Sequence, residues 1–412
     1  MANNIQKITG FIVRETAKGL YNNRLFSGLI SKKYSDEFAV EGAKKGETIY
    51  VRKPSKYRVR TGANQEIQSI QETKVAVTLP AQVGVDYSFN SRELTLDIDK
   101  GRSEDIQGAG SAIGSAKDAE GLQLAAINAG YTIVTAATPA LSDFTKAKAF
   151  LNKMLAPKGS SERFAFVGSD VEAAIANEVK VLYNSAAEIN KAIKENELST
   201  MGGLTFASTD LAFVRTNGAG GQVVTLGAAI TPDYVNETQT LTIAGAGAAA
   251  VAVGDTLEFA GSYFVNPETK QVYANKTQRK VLSKPNGTSV VVASIRPVIA
   301  SPATADARGQ AAMANVDSLP ANGSTITVLG VAGTKYMCSP VMHKEAVVLT
   351  SVDMVKPSKV EMVDSIVVDG MSIRFIKDYS IGDDSLPSRL DTLSAYTVLF
   401  PEHIVCVETP LA

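Results

Sequence analysis

Near the C-terminal end of the sequence stand four side chains that could hold a soft metal ion: Cys338, His343, His403 and Cys406. A Cys2His2 set suits tetrahedral zinc. The spacing argues against it. Cys338 and His343 are five residues apart and His403 and Cys406 three. On extended strands an odd separation sends side chains to opposite faces. A buried cysteine and a surface or satisfied histidine are the expectation, and a Cys338–Cys406 disulfide is disfavoured in a reducing compartment. These are the only two histidines and two cysteines in 412 residues. A Ser-His-Asp triad would have to use one of those histidines, and nothing around either suggests it.

Other chemistry-bearing patterns are equally thin. Gly108-x-Gly110-x-x-x-Gly114 departs from the G-x-G-x-x-G dinucleotide fingerprint, and no strand pattern precedes it. It lies within a helical period and reads as small-residue packing. No phosphate-binding G-x-x-x-x-G-K-[ST] loop and no G-x-S-x-G elbow occurs. The acid pairs Asp97/Asp99 and Asp383-Asp384 read as solvated turn or cap residues. No catalytic, cofactor-binding or metal residue is assigned, no cofactor is expected, and the chain does not read as an enzyme. Arg52, Lys53, Lys56, Arg58 and Arg60 form a basic stretch with only Tyr50 and Tyr57 interleaved. That is too few aromatics for a base-stacking platform. A contact with an acidic protein surface, with nucleic acid, or a solvated face all fit it.

The elements that must carry these residues change texture along the chain. Lys+Arg is 41 and Asp+Glu 42, a formal net charge of −1, so no global field draws the protein to nucleic acid or to an anionic membrane. Lys7, Arg14, Glu15 and Lys18 interrupt any signal-peptide core, which predicts a cytoplasmic protein or one in a particle assembled there. Residues 1–35 read as a helical arm that Phe11, Ile12 and Val13 could dock. Two alternating runs, residues 47–60 and 73–89, predict a long β-hairpin with an extended tip over 36–91. Ile106, Ala109, Ile113, Ala116, Leu122 and Ala126 share one face of a helix over 104–128. Each glycine in that helix costs about 1 kcal/mol against alanine, so tertiary contacts must support it.

Residues 143–155 predict a second helix, Arg163 to Val167 a buried strand, and Ser169-x-x-Glu172 a capping box opening a third helix. Residues 216–332 become rich in Gly, Thr, Val and Ala, with turn signals about every ten residues. Short strands are predicted at 223–226, 240–243, 256–259, 263–265, 278–282, 289–295 and 325–328, the pattern of a small all-β barrel or sandwich. Strands follow at 346–352, 365–377 and 394–400. An all-β module between two α/β-textured stretches reads as an insertion.

This order of parts resembles the major capsid proteins of tailed bacteriophages, and within them the coat proteins of the Salmonella short-tailed phage type, which carry a telokin-like inserted domain. Ser111 to Gly130 is similar to the family's spine-helix segment. Arg163 to Ala174 is similar to its axial strand–Asp–helix segment, and Gly254 to Gly261 to a strand pair of its inserted domain. The resemblance implies an α+β fold of the tailed-phage/herpesvirus capsid type with an inserted all-β barrel. It divides the chain into an arm (1–35), an extended loop (36–91), a peripheral domain with the spine helix (92–142), an axial domain (143–215), the insertion (216–332) and a completing segment (333–412).

The function implied is structural. Copies would form pentamers and hexamers of an icosahedral shell around double-stranded DNA, by way of a scaffold-dependent precursor shell that expands. Scaffolding and portal proteins, non-specifically held DNA and decoration proteins are the implied partners besides the chain itself; no membrane is. By analogy with the family, Arg52, Lys53, Arg58 and Arg60 would meet acidic residues of a neighbouring copy, and Asp233 and Glu237 would act between capsomers. Gly108, Gly110 and Gly114 would let the spine helix bend. An encapsulin-like cellular shell, and more distantly an enzyme with a β-barrel accessory domain, are the competing readings.

Overall fold

The computed structural model describes residues 25–32, 48–60, 62–78, 82–90, 100–159, 162–182, 200–368 and 370–411. Phe11, Ile12, Val13, Asp97 and Asp99, and the side chain of Ile106, lie outside the described residues. In chain order the elements begin α1 (Phe26–Leu29), β1 (Thr48–Arg52), β2 (Lys74–Thr78), β3 (Val83–Asn90), α2 (Lys100–Ile127), β4 (Tyr131–Val134), α3 (Leu141–Lys153), β5 (Arg163–Val167) and α4 (Ser169–Leu182). The next are β6 (Thr200–Met201), β7 (Leu204–Ser208), β8 (Phe213–Thr216), β9 (Val224–Leu226), β10 (Thr238–Ala244), β11 (Thr256–Val265), β12 (Val272–Lys280), β13 (Ser283–Asn286), β14 (Ser289–Ala293), α5 (Ala305–Ala312) and β15 (Thr325–Val328). The last are β16 (Lys335–His343), β17 (Val347–Ser351), β18 (Met362–Val368), β19 (Met371–Lys377), β20 (Ser385–Thr392), β21 (Ser394–Val398) and β22 (Ile404–Pro410).

The chain divides into two compact units, one of residues 1–49, 76–122 and 347–397, the other of 50–75, 123–346 and 398–412. In the first, β18-β19-β20-β3 form an antiparallel sheet and β17 pairs with β21. The second alternating run of the sequence is therefore not one arm of a hairpin. Only β2 pairs with β1, while β3 pairs along its whole length with β20. Pro80 stands between β2 and β3 and lacks the N–H a continuous ladder needs. Residues 365–377 likewise hold two strands, not one, separated at Gly370, whose φ of 76° L-residues rarely adopt.

Helix α2 begins earlier than its apolar pattern does. Ala109, Ile113, Leu122 and Ala126 are buried as the spacing predicts, but Ala116 is exposed. Lys117 and Asp118 are buried instead. Asp118 accepts hydrogen bonds from the backbone N–H of Phe26 (2.8 Å) and Ser27 (3.2 Å), and Lys117 Nζ lies 2.8 Å from Glu120 and 3.1 Å from the Ser394 carbonyl. A Cβ on Gly121 would stand 2.5 Å from the Phe26 ring and 3.2 Å from Tyr396, so the glycine permits that close approach. Gly110 and Gly114 are buried and Gly108 exposed.

In the second unit a mixed sheet runs β4-β22-β16-β5-β7-β6, with β8 beside β16. Helices α3 and α4 bury Phe144, Ala147, Leu151, Val171 and Ile175 into its core. Helix α4 opens at Ser169 as predicted, but Ser169 is its first helical residue: the Glu172 N–H donates to the Gly168 carbonyl (3.0 Å) and the Ser169 hydroxyl donates to Asp210. Strand β16 escapes sequence reading because Pro340 lies within it, and proline argues against a central strand. Pro340 sits where the partner on one side changes from β8 (Lys335–Cys338) to β5 (Val341–His343), a place where a missing donor is tolerated.

Residues 216–332 build a second seven-stranded sheet, β12-β11-β15-β9-β10-β14-β13, with its own core of Val224, Leu241, Leu257, Phe259, Val290 and Ile326. The two strands predicted over 256–265 are one strand that passes through Gly261 (φ 76°) with a shift of register. Helix α5 has no counterpart in the predicted elements. Phe264 of β11 leaves this core and packs on Phe150 (ring centroids 5.3 Å) in the core of the other sheet.

Candidate functional site

The residues between β1 and β2 form an extended loop held on both limbs. At its base the Lys53 N–H donates to the Thr73 carbonyl (2.9 Å). Lys53 Nζ pairs with Glu237 at 3.0 Å, and its charge lies 5.5 Å from the centre of the Phe400 ring. Arg296 approaches the same glutamate at 3.6 Å. On the returning limb the Ser69 N–H donates to the Ala305 carbonyl (3.0 Å), the Ser69 hydroxyl donates to Asp306, and Arg308 Nη1 donates to the Ile67 carbonyl (3.0 Å). Tyr57, Arg58, Val59 and Arg60 beyond these anchors are exposed, as are Ile67 and Ile70. Arg60 donates to the carbonyls of Gly62 and Asn64, and the Arg58 N–H donates to Gln68 Oε1 (3.1 Å).

Charge is tuned at the base of this loop. Burial alone would raise the Glu237 carboxyl, and Lys53 and Arg296 more than offset it, leaving it below the usual carboxylate range. Glu402 is opposed by burial in the same way but is pulled down to about 2 by Lys53 and Lys56. Burial, with Lys56 nearby, lowers the Lys270 ammonium to about 7. Lys270 Nζ donates to the carbonyls of Pro267 (2.6 Å), Ala312 (2.7 Å) and Ala314 (3.0 Å). Asp233 serves its own turn: its carboxylate accepts from the N–H groups of Val235 and Asn236, both at 2.8 Å.

A second cluster joins the two sheets of this unit. Arg215 of β8 makes a bidentate pair with Glu408 of β22 (2.9 and 2.6 Å) and reaches Asp255 at 2.7 Å. Lys280 of β12 lies 2.5 Å from Glu408. Asp255 also accepts from the N–H groups of Gly218 and Ala252. All four side chains are at most 2% exposed. Burial raises the Glu408 carboxyl, but Lys280 and Arg215 bring it below the ordinary range.

Cys338 and Cys406 are buried free thiols facing that cluster. Their sulfurs and a Glu408 oxygen lie within 4.8 Å of one another. Both Glu408 oxygens are already taken by Arg215 and Lys280. A divalent ion there would meet two cations, so the trio does not suit a metal. The histidines are elsewhere: the His343 and His403 rings are 6.5 Å apart, and His343 Nε2 is 3.5 Å from Glu162. The four soft ligands thus separate into a thiol pair and a histidine pair. Asp383 and Asp384 sit on an exposed turn, where the Tyr379 hydroxyl donates to Asp384 (2.9 Å).

Of the residues singled out from sequence, Lys53 and Glu237 come together within one chain. Arg52 pairs loosely with Glu72 (3.4 Å) on the surface, and Arg58, Arg60 and Asp233 are brought to no common point. Sequence reasoning missed Arg215, Asp255, Lys280, Glu408 and Arg296. One signal was available: Glu408 is a lone acid inside the apolar run 404–410.

The family model for P22 coat protein (gene protein 5) matches residues 1–407. No curated protein matches significantly. Among solved structures, a chain of Mycobacterium phage Che8 is 8% identical, with 93% of this chain and 90% of that one covered and a TM-score of 0.46. The capsid of cyanophage P-SCSP1u is 10% identical over 89% and 85%, also with a TM-score of 0.46. The CUS-3 coat protein I-domain is 24% identical, covering 27% of this chain and 98% of that one, with a TM-score of 0.21. Among the described residues no helix is long and apolar enough to cross a membrane. With one family model spanning residues 1–407 of 412, the chain belongs to the P22 coat protein family, the structural coat proteins of bacteriophage capsids.

Proposed function

We propose that this coat protein is the major subunit of its shell, assembling as pentamers and hexamers into an icosahedral capsid around double-stranded DNA. Assembly proceeds through a scaffold-dependent precursor shell that expands, with a portal protein at one vertex. The β-rich segment 216–332, which also holds α5, is an inserted domain, hosted by an axial domain that begins with 143–215, and 333–412 completes the axial and peripheral domains. Its separate core supports that division.

The observation that carries the reading beyond the family is the extended loop. Val59 is 88% exposed and Ile67 65%, beside the exposed Arg58 and Arg60. Apolar and cationic side chains presented together on an overhanging segment fit a contact with another protein surface. The chemistry suits an acidic, partly apolar face of a second copy. Arg58 and Arg60 are then the contact residues, while Lys53, Glu237 and Asp233 hold the frame that presents them. Gly108, Gly110 and Gly114 are where α2 bends between the two shell states. Normal assembly and expansion of a Gly110→Ala, Gly114→Ala double variant would overturn that last role.

Co-expression with scaffolding protein, followed by sedimentation and electron microscopy, tests the whole reading. Closed shells are expected from the wild-type chain, and folded subunits without shells from Arg58→Glu, Arg60→Glu. Wild-type chain that stays monomeric would overturn the function, and full shell yield from the variant would overturn the role of the loop tip.

A further inference from the structure

Helix α5 spans only eight residues, too few to stand alone in water. It is tied at both ends. The Thr304 hydroxyl accepts from the Ala307 N–H (3.1 Å) at the start, and Lys270 Nζ collects the carbonyls of Ala312 and Ala314 at the finish. In its middle stands Gly309, where alanine would favour the helix by about 1 kcal/mol. A Cβ there would overlap the Ser69 carbonyl oxygen and stand 3.1 Å from Gln71 Cγ. The missing side chain is the space in which the returning limb of the loop lies. Around it, Ala305, Asp306 and Arg308 bind Ser69 and the Ile67 carbonyl. Two of these three contacts go to loop backbone, so the helix grips the path of the chain more than its side chains. The anchor of the outgoing limb, Glu237, belongs to the same inserted segment.

We propose that α5 is a bracket that aims the extended loop: Gly309, Asp306 and Arg308 are positioning residues through which the inserted segment sets the direction in which the loop meets a second copy of the chain. The docking itself is independent of the capsid reading; its consequence for assembly rests on that reading. A displacement of the inserted segment carries both anchors with it and swings the loop tip.

Limited trypsin digestion of the full-length monomer tests the docking: Lys56, Arg58 and Arg60 are exposed on a backbone held at both limbs, so cleavage faster than wild type at these sites reports release of an anchor. Gly309→Val pushes on the Ser69 backbone and is expected to speed cleavage at these sites about tenfold, equivalent to roughly 1.4 kcal/mol of lost docking. Arg308→Ala removes one contact without adding bulk and is expected to speed it about threefold. Gly287→Ala, where a Cβ meets nothing within 4 Å, should cleave like wild type. Both bracket variants should give fewer closed shells with scaffold. Unchanged cleavage in both overturns the bracket. Faster cleavage with wild-type shell yield overturns its aiming role. If Gly309→Val does not fold, Arg308→Ala decides alone. If wild-type chain forms no shells, the capsid reading fails while digestion still decides the bracket.

Discussion

Arg215 and Arg52 are both arginines paired with a glutamate, at 2.6 Å from Glu408 and 3.4 Å from Glu72. The first pair is 2% and 0% exposed, the second 77% and 51%. Exposed pairs of this kind typically contribute about 0–1 kcal/mol, because water screens the attraction and two long side chains must be ordered. Buried pairs have paid a large desolvation cost, so their loss strands a charge. The buried cluster therefore locks the sheet of residues 216–332 to the sheet that holds β22, while the loop charges remain in water. Lys53–Glu237, 11% and 24% exposed, lies between these limits and sits at the loop base, where both demands meet.

The comparison breaks most visibly at Glu408. Glu408→Gln leaves Arg215 and Lys280 facing a neutral amide and is expected to cost about 3–5 kcal/mol in chemical denaturation. A cost below about 1 kcal/mol would show that water reaches the cluster. Lys53→Ala should cost less, about 1–2 kcal/mol, since Arg296 still neutralises Glu237. Arg58→Glu with Arg60→Glu should change thermal stability by no more than about 0.5 kcal/mol, whatever it does to assembly. A larger loss would place those side chains among the supports of the subunit itself.

Acid sharpens the same contrast. Glu408, Glu237 and Glu402 are all held below the ordinary glutamate value of 4.5, Glu402 at about 2. A carboxyl lowered by folding contributes stability that is complete above its unfolded value and is lost as pH falls through its folded value. Thermal midpoints are thus expected to fall from about pH 5 downward, and Glu237→Gln should flatten part of that slope. An unchanged slope would mean that the loop base contributes nothing to acid sensitivity.

Much of the fold was legible in residue order. The strands of residues 216–332 were marked by turn residues and alternation, α2 and α3 by their apolar periods, β5 by its apolar run and α4 by the Ser169-x-x-Glu172 signal. Errors cluster where distant chain decides. The run 73–89 alternates throughout, yet its halves serve different sheets, and Pro340 disguises a central strand. At the candidate site, the loop and its basic residues were visible as a pattern. Which of them are spent inside the chain was not, because Glu237 lies 184 residues from Lys53 and Asp306 lies 237 from Ser69.

By itself the sequence determined most of the elements, the family and the poverty of catalytic groups, since period, turn chemistry and composition act over a few residues. Only the tertiary structure decided which charges are buried together and which remain in water. Arg215, Asp255, Lys280 and Glu408 look no different from Arg52, Arg58, Arg60 or Asp233 until folding removes the water around them. It is that loss of solvent, set by long-range packing, that separates a buried lock from a solvated charge.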